Sequence, residues 1–270
     1  MSTEDNPQFL TGTDLAEQSF FDPSLLKTKY FRSLRERYLE LQHSGFDNPH
    51  RNYRRLLSSL DAIFAYNQEH ARSLAKRFKA EDSDPRNGDA IFAESIVYRG
   101  HLPLIGEGYV VSLAMEPDQC DLIVHRRDGS MAFLEVFSVC PDFKPDPNGV
   151  THIQTHTQEA LSSVRRKLLH KIESQKQMTK ARENWAVIEL NHQSIAGAFT
   201  VLASLSGGYK LSIDTTTMKT VSEGFDWSDS VFGAPQLRFL RGVIHFDLGN
   251  YADRRILLNP VWSPPEPHEA

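Results

Sequence analysis

A carboxylate stands in the middle of a strongly apolar stretch of this sequence. The run Phe133-Leu-Glu-Val-Phe-Ser-Val139 is rich in aromatic and β-branched residues, which is typical of a strand inside a sheet. Glu135 lies at its centre, where burial of an unpaired carboxylate costs several kcal/mol, about 2–7 for the missing hydrogen bonds alone. We therefore expect a cation, a metal ion or a proton next to Glu135.

The loop before this strand decides which residue faces Glu135. The segment Arg126-Arg-Asp-Gly-Ser130 contains Asp-Gly, a strong hairpin signal. A two-residue loop pairs Asp121 with Val136 and separates Asp121 and Glu135 onto opposite faces. A three-residue loop with left-handed Gly129 pairs Asp121 directly with Glu135. Paired side chains have Cβ atoms about 4.5–5.5 Å apart, so in the second register the two carboxylates repel unless something lies between them.

A divalent cation between Asp121 and Glu135 would remove this repulsion. Mg²⁺ takes carboxylate, carbonyl and water oxygens in an octahedral shell. Each acid by itself also has an ordinary structural explanation, namely exposure to solvent or pairing with Arg or Lys. The pair is more informative than either acid, and Glu94 on the preceding helical segment adds a third carboxylate.

Hydrophobic spacing predicts the elements that position these acids. Three- and four-residue spacing predicts two or three packed helices over 23–80, and the polar segment 81–88 is a candidate boundary. Beyond it we predict a helix at 91–98, strands at 108–113, 120–125 and 131–139, a long helix at 157–182, a strand at 185–190, a polar loop at 221–232 and a strand at 237–247. This order predicts an α/β protein with a mixed sheet and a crossover. The predicted organisation is a polar N-terminus (1–22), a helical region (23–85), an α/β domain (86–262) and a proline-rich tail (263–270).

Composition limits the class of protein. The chain has 270 residues, of which 40% are hydrophobic and 24% charged, as in ordinary soluble globular proteins. A polar start and the lack of a long apolar run predict a cytoplasmic protein without a membrane partner. A net charge of −5 argues against a protein that coats nucleic acid, but it allows a local basic groove. Cys120 and Cys140 lack zinc-ligand spacing and are predicted to be reduced thiols.

In their order along the chain, these elements resemble the PD-(D/E)xK, or restriction-endonuclease-like, nuclease superfamily. The resemblance covers about 89–190. The residues that carry it are Glu94, Pro117-Asp-Gln-Cys-Asp121, Glu135-Val-Phe137 and the helix Lys167-Leu-Leu-His-Lys-Ile-Glu-Ser-Gln175. It implies a restriction-endonuclease-like mixed central sheet flanked by helices.

The resemblance also implies a site. Asp121 and Glu135 would bind Mg²⁺ or Mn²⁺, with Asp118 as a second candidate for the first strand acid. Glu94 would be the assisting helix acid.

The sequence departs from the family at the residue two positions beyond Glu135. The family places a lysine there, whereas this chain has Phe137. Some members of the superfamily supply that lysine from the following helix. Lys167, Lys171 and Gln175 are four residues apart and so share one helical face, with Lys171 the preferred and Lys167 the second candidate. The alternative is a degenerate site that binds without cutting.

The helix that would carry these lysines is basic. Between 165 and 182 there are seven Lys or Arg residues and one acid. A solvated helix face explains this as well as phosphate contact does. The candidate nucleic-acid contacts are Arg165, Arg166 and Lys176, and Arg126 and Arg127 at the hairpin extend the track.

Other histidine and cysteine motifs are less specific signals of a functional site. His152 and His156 have the spacing of a helical zinc pair but lack the intervening glutamate base. His245, on a late strand with Asp247, is expected to be a hydrogen-bonded core histidine. Cys140 has no recognisable nucleophile signature.

The leading expectation is a Mg²⁺-dependent nuclease that hydrolyses phosphodiester bonds in DNA or RNA. One rival is a module of the same fold that binds nucleic acid or protein without cleaving. A second is a structural or assembly protein, whose acids form buried salt bridges and whose N-terminal helices pair with another copy or a protein partner.

Overall fold

The structure is a computed structural model that describes residues 22–41, 51–116, 120–138, 165–166, 168–170, 178–190, 198–207, 209–225, 230–247 and 249–264. The α-helices are α1 (Lys29–Leu41), α2 (Arg51–Tyr66), α3 (Gln68–Ala80), α4 (Pro85–Gly106) and α5 (Ala198–Ser206). Short 3-10 helices span Pro23–Lys27, Pro235–Leu237 and Tyr251–Asp253. The strands are β1 (Val110–Glu116), β2 (Cys120–Arg126), β3 (Met131–Ser138), β4 (Glu183–Leu190), β5 (Tyr209–Asp214), β6 (Lys219–Phe225), β7 (Leu240–Asp247) and β8 (Arg255–Leu258).

Helix α4 is buried at every position of its middle turns. All eight residues of 91–98 are buried, including Glu94. The helix packs on β1, β2 and β3 with one side and on α1, α2 and α3 with the other. A helix surrounded in this way needs apolar residues all round rather than along one stripe, which is the pattern that its sequence has.

Helix α3 begins with a side-chain cap and contributes one apolar stripe. The Asn67 side chain accepts hydrogen bonds from the backbone N–H groups of Glu69 and His70 at 3.0 and 3.1 Å. Its buried residues are Ala71, Leu74, Ala75 and Phe78. Phe78 packs edge-to-face against Phe31 of α1 at 5.1 Å between ring centroids, which holds α3 against α1.

Six strands form one mixed sheet in the order β1-β2-β3-β4-β7-β8, and β5 and β6 form a separate antiparallel hairpin. Strands β1, β2 and β3 are antiparallel neighbours. Strands β3, β4 and β7 are parallel to one another, and β8 returns antiparallel to β7. The predicted α/β class with a mixed sheet flanked by helices is confirmed, as are the helices at the N-terminal end.

The β2–β3 hairpin adopts the three-residue loop. Leu122 pairs with Leu134 and His125 with Met131. Continued by one residue, this register places Asp121 opposite Glu135. Gly129 has a φ of 83°, in the left-handed region, as this loop requires. Of the two registers that the sequence allows, the structure adopts the one with the three-residue loop.

The two faces of the sheet pack into different clusters. Leu122, Leu134 and Val136 join the large core formed with α1 to α4. Phe137, on the other face, joins a second cluster with residues of β4, β7 and α5. Both faces of β3 are therefore covered, which explains its nearly continuous apolar sequence.

Two predicted elements were wrong. Residues 178–182, predicted as the end of a long helix, form bends and turns before β4, and Arg182 packs on Phe133 at 4.6 Å from the ring centroid. The predicted polar loop at 221–232 includes β6, which pairs with β5. The earlier part of the predicted helix lies largely outside the described residues, although 165–166 and 168–170 are helical.

Cys120 is a buried free thiol as predicted, whereas Cys140, His152 and His156 lie outside the described residues. Among the described helices, we find none with enough length and apolar character to cross a bilayer.

Two buried histidines predict a loss of stability in mild acid. Burial lowers the pKa of His101 and of His245 below the ordinary value of 6.5, although neighbouring groups act in both directions. The unfolded chain then binds more protons than the folded chain below about pH 6.5. We expect the free energy of unfolding to fall as the pH decreases from there through the two lowered pKa values. Urea unfolding at a series of pH values measures this free energy. His245→Gln should make it depend less steeply on pH. A flat profile down to about pH 5 would contradict the prediction.

Candidate functional site

Asp121 and Glu135 lie next to the last residue pair of the β2–β3 ladder, Leu122 and Leu134. The Asp121 carboxylate accepts a hydrogen bond from the backbone N–H of Val136 at 2.7 Å, just beyond that pair. Glu135 is only 1% exposed, which makes it a buried carboxylate in a central strand.

The charges of Asp121 and Glu135 both affect the pKa of the neighbouring Cys120 thiol. Burial, followed by the charges of Asp121 and Glu135, raises the pKa of Cys120 to about 12. A thiolate at Cys120 is thus disfavoured by burial and by two carboxylates. Two such carboxylates, together with waters, are a donor set that fits Mg²⁺ or Mn²⁺.

Glu94 forms an ion pair with Arg77. Arg77 of α3 donates to both carboxylate oxygens of Glu94, through Nη2 to Oε1 at 2.8 Å and through Nη1 to Oε2. The Glu94 side chain is 5% exposed and that of Arg77 27% exposed. Such two-point pairing is the strong form of an arginine–carboxylate contact. Glu94 is therefore held as the partner of a cation, seventeen residues away along the chain.

The charge of Arg77 also acts on the strand acid. Burial opposes the charge on Arg77, but the hydrogen bond to Glu94 and the charges of Glu94, Asp121 and Glu81 outweigh it and raise the pKa of the guanidinium. Glu81, one turn further along, lies 3.7 Å from Nε of Arg77. Asp121 on β2 is therefore one of three acids whose charge favours the ionised guanidinium of Arg77.

Phe137 occupies the position two residues beyond Glu135, on the same face of β3. It is 5% exposed and packs among apolar side chains, including Leu168 and Ile188. A side chain in that environment contributes volume to the core and no charge to the site.

Only part of the predicted basic surface is described. Arg165 is half-buried and Arg166 is exposed. Lys167, Lys171, Gln175 and Lys176 lie outside the described residues, as does Asp118. Their predicted roles stay predictions.

The two hairpin arginines differ in their contacts. Arg126 donates to both carboxylate oxygens of Glu183, at 2.9 and 2.5 Å, which ties the hairpin to β4. Burial opposes ionisation of Glu183, but hydrogen bonds from Arg126 and Trp185 outweigh it and lower the pKa of this carboxyl. Arg127 is exposed at the tip of the loop. Of the two, Arg127 is the better placed to contact a ligand.

Two buried polar contacts of the structure are not predicted from the sequence. The first involves Arg77, which lies beside the apolar stripe of α3, between Leu74 and Phe78. Glu189 of β4 is fully buried and accepts from Ser138 Oγ at 2.8 Å and from the backbone N–H of Gly249 at 3.2 Å. Glu189 lies on the face of the sheet opposite to Glu135, so it belongs to a separate cluster. An acid between apolar strand residues was the available signal for it.

The described residues contain no group of three or more His, Cys, Asp or Glu side chains close enough to hold a metal ion. Comparisons with protein-family models, with curated proteins and with solved structures find no match to this chain. The chemistry of the site is therefore inferred from its own geometry.

Proposed function

We propose that this protein is a metal-dependent nuclease that hydrolyses phosphodiester bonds in nucleic acid. The observation that carries the proposal is the hairpin register, which, continued by one residue, places the half-buried Asp121 opposite the buried Glu135. Two neighbouring carboxylates are oxygen ligands that a divalent cation accepts together.

The arrangement of elements supports the proposal. A helix carrying Glu94 precedes three antiparallel strands, and β4 then lies parallel to β3. This is the order and pairing expected of a restriction-endonuclease-like core, and we propose that fold for the sheet and α4. The helices α1 to α3 then form an N-terminal addition that packs on α4.

Each residue has a definite task in this proposal. Asp121 and Glu135 would hold Mg²⁺ or Mn²⁺, and the Val136 N–H orients the Asp121 carboxylate. A bound metal would lower the pKa of a water and stabilise charge on the phosphate. Lys171 or Lys167, with Gln175 on the same predicted helical face, replaces the strand lysine. Phosphate contacts come from Arg165, Arg166, Lys176 and Arg127, whereas Arg126 orients the hairpin through Glu183.

A cleavage assay tests the proposal directly. The full chain is incubated with single-stranded DNA, double-stranded DNA and RNA in Mg²⁺, in Mn²⁺ and in EDTA. We expect cleavage of at least one substrate with metal and none with EDTA. Asp121→Asn and Glu135→Gln should abolish it while circular dichroism shows an intact fold. Glu107→Gln, an exposed carboxylate in the turn after α4, is the matched control and should cleave like the unchanged protein. Cleavage that survives in both site variants would reject the proposal.

A non-cleaving binding module on the same fold is the second candidate, and Phe137 is the observation that favours it. A buried phenylalanine cannot orient water or stabilise charge. This candidate predicts salt-dependent nucleic-acid binding without cleavage, and binding that Asp121→Asn leaves unchanged.

A structural or assembly protein is the third candidate. The Arg77–Glu94 pair favours it, because one of the candidate acids already has a cationic partner within the fold. It predicts that the chain forms an oligomer and binds neither metal nor nucleic acid.

A further inference from the structure

We propose that the β5–β6 hairpin binds a second copy of this protein, through antiparallel pairing of β5 with β5 of that copy about a twofold axis at Ser212. The resulting dimer contains a four-stranded sheet in the order β6-β5-β5-β6. This inference goes beyond the proposed nuclease function and does not depend on it. It also concerns a surface other than the N-terminal helices.

The hairpin lies open to solvent on both faces. Every residue of 210–223 is exposed except Asp214, which is half-buried. No third strand of the described structure joins this sheet, and no other described helix or strand packs closely on it. A two-stranded hairpin alone is only marginally stable in water, whereas three or more strands with an apolar face are stable. Pairing with further strands therefore stabilises β5 and β6.

Of the two edges of the hairpin, the β5 edge is the better template for another strand. Ser212 pairs with Ser222 and Ile213 with Thr220, so Val221 is an extra residue on β6. Such a bulge bends its strand and twists the edge away from partners, which is a common protection against edge-to-edge pairing. Strand β5 has no extra residue and keeps a regular edge. An incoming strand therefore pairs with β5.

The sequence of β5 is complementary to itself when two copies run antiparallel. About an axis at Ser212, Lys210 lies opposite the partner's Asp214, and Leu211 lies opposite the partner's Ile213. Only this register pairs both the opposite charges and the aliphatic side chains, since a slip by one residue sets Leu211 against a polar residue. A parallel arrangement in register sets two copies of Lys210 against each other. The pattern of charges thus selects the antiparallel twofold dimer.

The aliphatic side chains of β5 supply the apolar contact of the dimer. Leu211 and Ile213 lie on one face of the strand and are 50% and 46% exposed in the single chain. Across the twofold axis each of them meets its counterpart, so two copies place four aliphatic side chains side by side. This gives the four-stranded sheet the apolar face that a single hairpin is too small to cover.

The charged side chains lie on the opposite face of β5. The Asp214 carboxylate accepts hydrogen bonds from the backbone N–H groups of Thr216 and Thr217 and from the Thr217 hydroxyl. A carboxylate has about four acceptor positions, so the turn leaves one for the partner's Lys210. The twofold axis repeats this contact, which gives two cross-strand ion pairs in each dimer.

Charge reversal tests the pairing by analytical ultracentrifugation. Because one pair of strands is a small interface, we expect a reversible dimer of the unchanged protein with a dissociation constant on the order of 10–100 µM. Lys210→Glu and Asp214→Lys each set like charges against each other and should dimerise at least about tenfold more weakly. An equimolar mixture of the two variants should recover the dimer, because each then offers the other an opposite charge. Lys76→Glu, at an exposed position on α3, is the matched control and should dimerise like the unchanged protein.

Disulfide trapping reports the register of the two strands. Ser212 lies opposite the partner's Ser212 with Cβ atoms about 4.5–5.5 Å apart, so Ser212→Cys should cross-link two copies when diamide is added. Ser222→Cys, at an exposed position on β6, should cross-link no more than the unchanged protein, whose native cysteines give the background.

Three results would overturn the inference. The first is an unchanged protein that stays monomeric at about 500 µM, well above the expected dissociation constant. The second is a Lys210→Glu protein that dimerises like the unchanged protein, since this variant keeps the turn hydrogen bonds of Asp214. The third is cross-linking of Ser222→Cys that equals or exceeds that of Ser212→Cys. The nuclease proposal stands or fails separately, in the cleavage assay.

Discussion

Replacement of Arg77 by glutamine is expected to lower the free energy of unfolding by about 3–5 kcal/mol. The substitution leaves Glu94 without its cation in a position that is only 5% exposed. A buried carboxylate that has lost its cation must either take up a proton or draw water into the core, and both raise the free energy of the folded state. Urea unfolding at pH 7 measures the loss.

The paired variant provides the control for this prediction. Arg77→Gln/Glu94→Gln should recover most of the stability, because two neutral amides replace the lone charge. Arg72→Gln should change the free energy of unfolding by no more than about 0.5 kcal/mol, since Arg72 is exposed. A loss in Arg77→Gln no larger than in Arg72→Gln would mean that the pair contributes nothing to stability.

The second large effect is expected from Glu135→Gln and has the opposite sign. Glu135 is 1% exposed, and burial disfavours its charged form, so replacement by a neutral amide should raise the free energy of unfolding in the absence of metal by about 1–3 kcal/mol. With metal bound, the unchanged protein should become more stable than the Glu135→Gln variant. Mg²⁺ or Mn²⁺ at 100 times its dissociation constant stabilises a folded protein that has the site by about 2.7 kcal/mol. The variant should gain almost none of that stabilisation.

Thermal unfolding with EDTA and with increasing Mn²⁺ measures both parts of the prediction. Glu107→Gln should respond to Mn²⁺ like the unchanged protein, because Glu107 lies in an exposed turn. A Glu135→Gln protein that is several kcal/mol less stable in EDTA would indicate that Glu135 forms a structural salt bridge. That result would favour the assembly protein over the nuclease.

Local signals were sufficient to predict the centre of the fold. Asp-Gly in the hairpin and the apolar runs on either side restrict β2 and β3 to two registers, and the observed φ of Gly129 selects one. The change from helical spacing to strand alternation located β1 to β4 within a few residues. These features depend on neighbours in the sequence, which a pattern can show.

Other features depend on contacts that a local pattern does not contain. The Arg77–Glu94 pair joins two helices, so nothing next to either residue indicates it. The β5–β6 hairpin was missed because its strands are exposed, with polar residues such as Ser212 and Ser222 in register and Leu211 facing solvent. The end of the long predicted helix was wrong because Arg182 is held on the Phe133 ring by a contact with a distant strand.

The three-residue loop between β2 and β3 also makes the site more sensitive to a change in the pairing register than to a change in an exposed side chain. Asp128 is exposed, so many residues can replace it without disturbing the sheet. The alternative loop of two residues, Asp128 and Gly129, would shift the pairing by one residue and put Asp121 and Glu135 on opposite faces. Relatives of this protein that share its chemistry should therefore conserve the glycine at position 129, whose left-handed φ fixes the observed loop, more strictly than the residue at position 128.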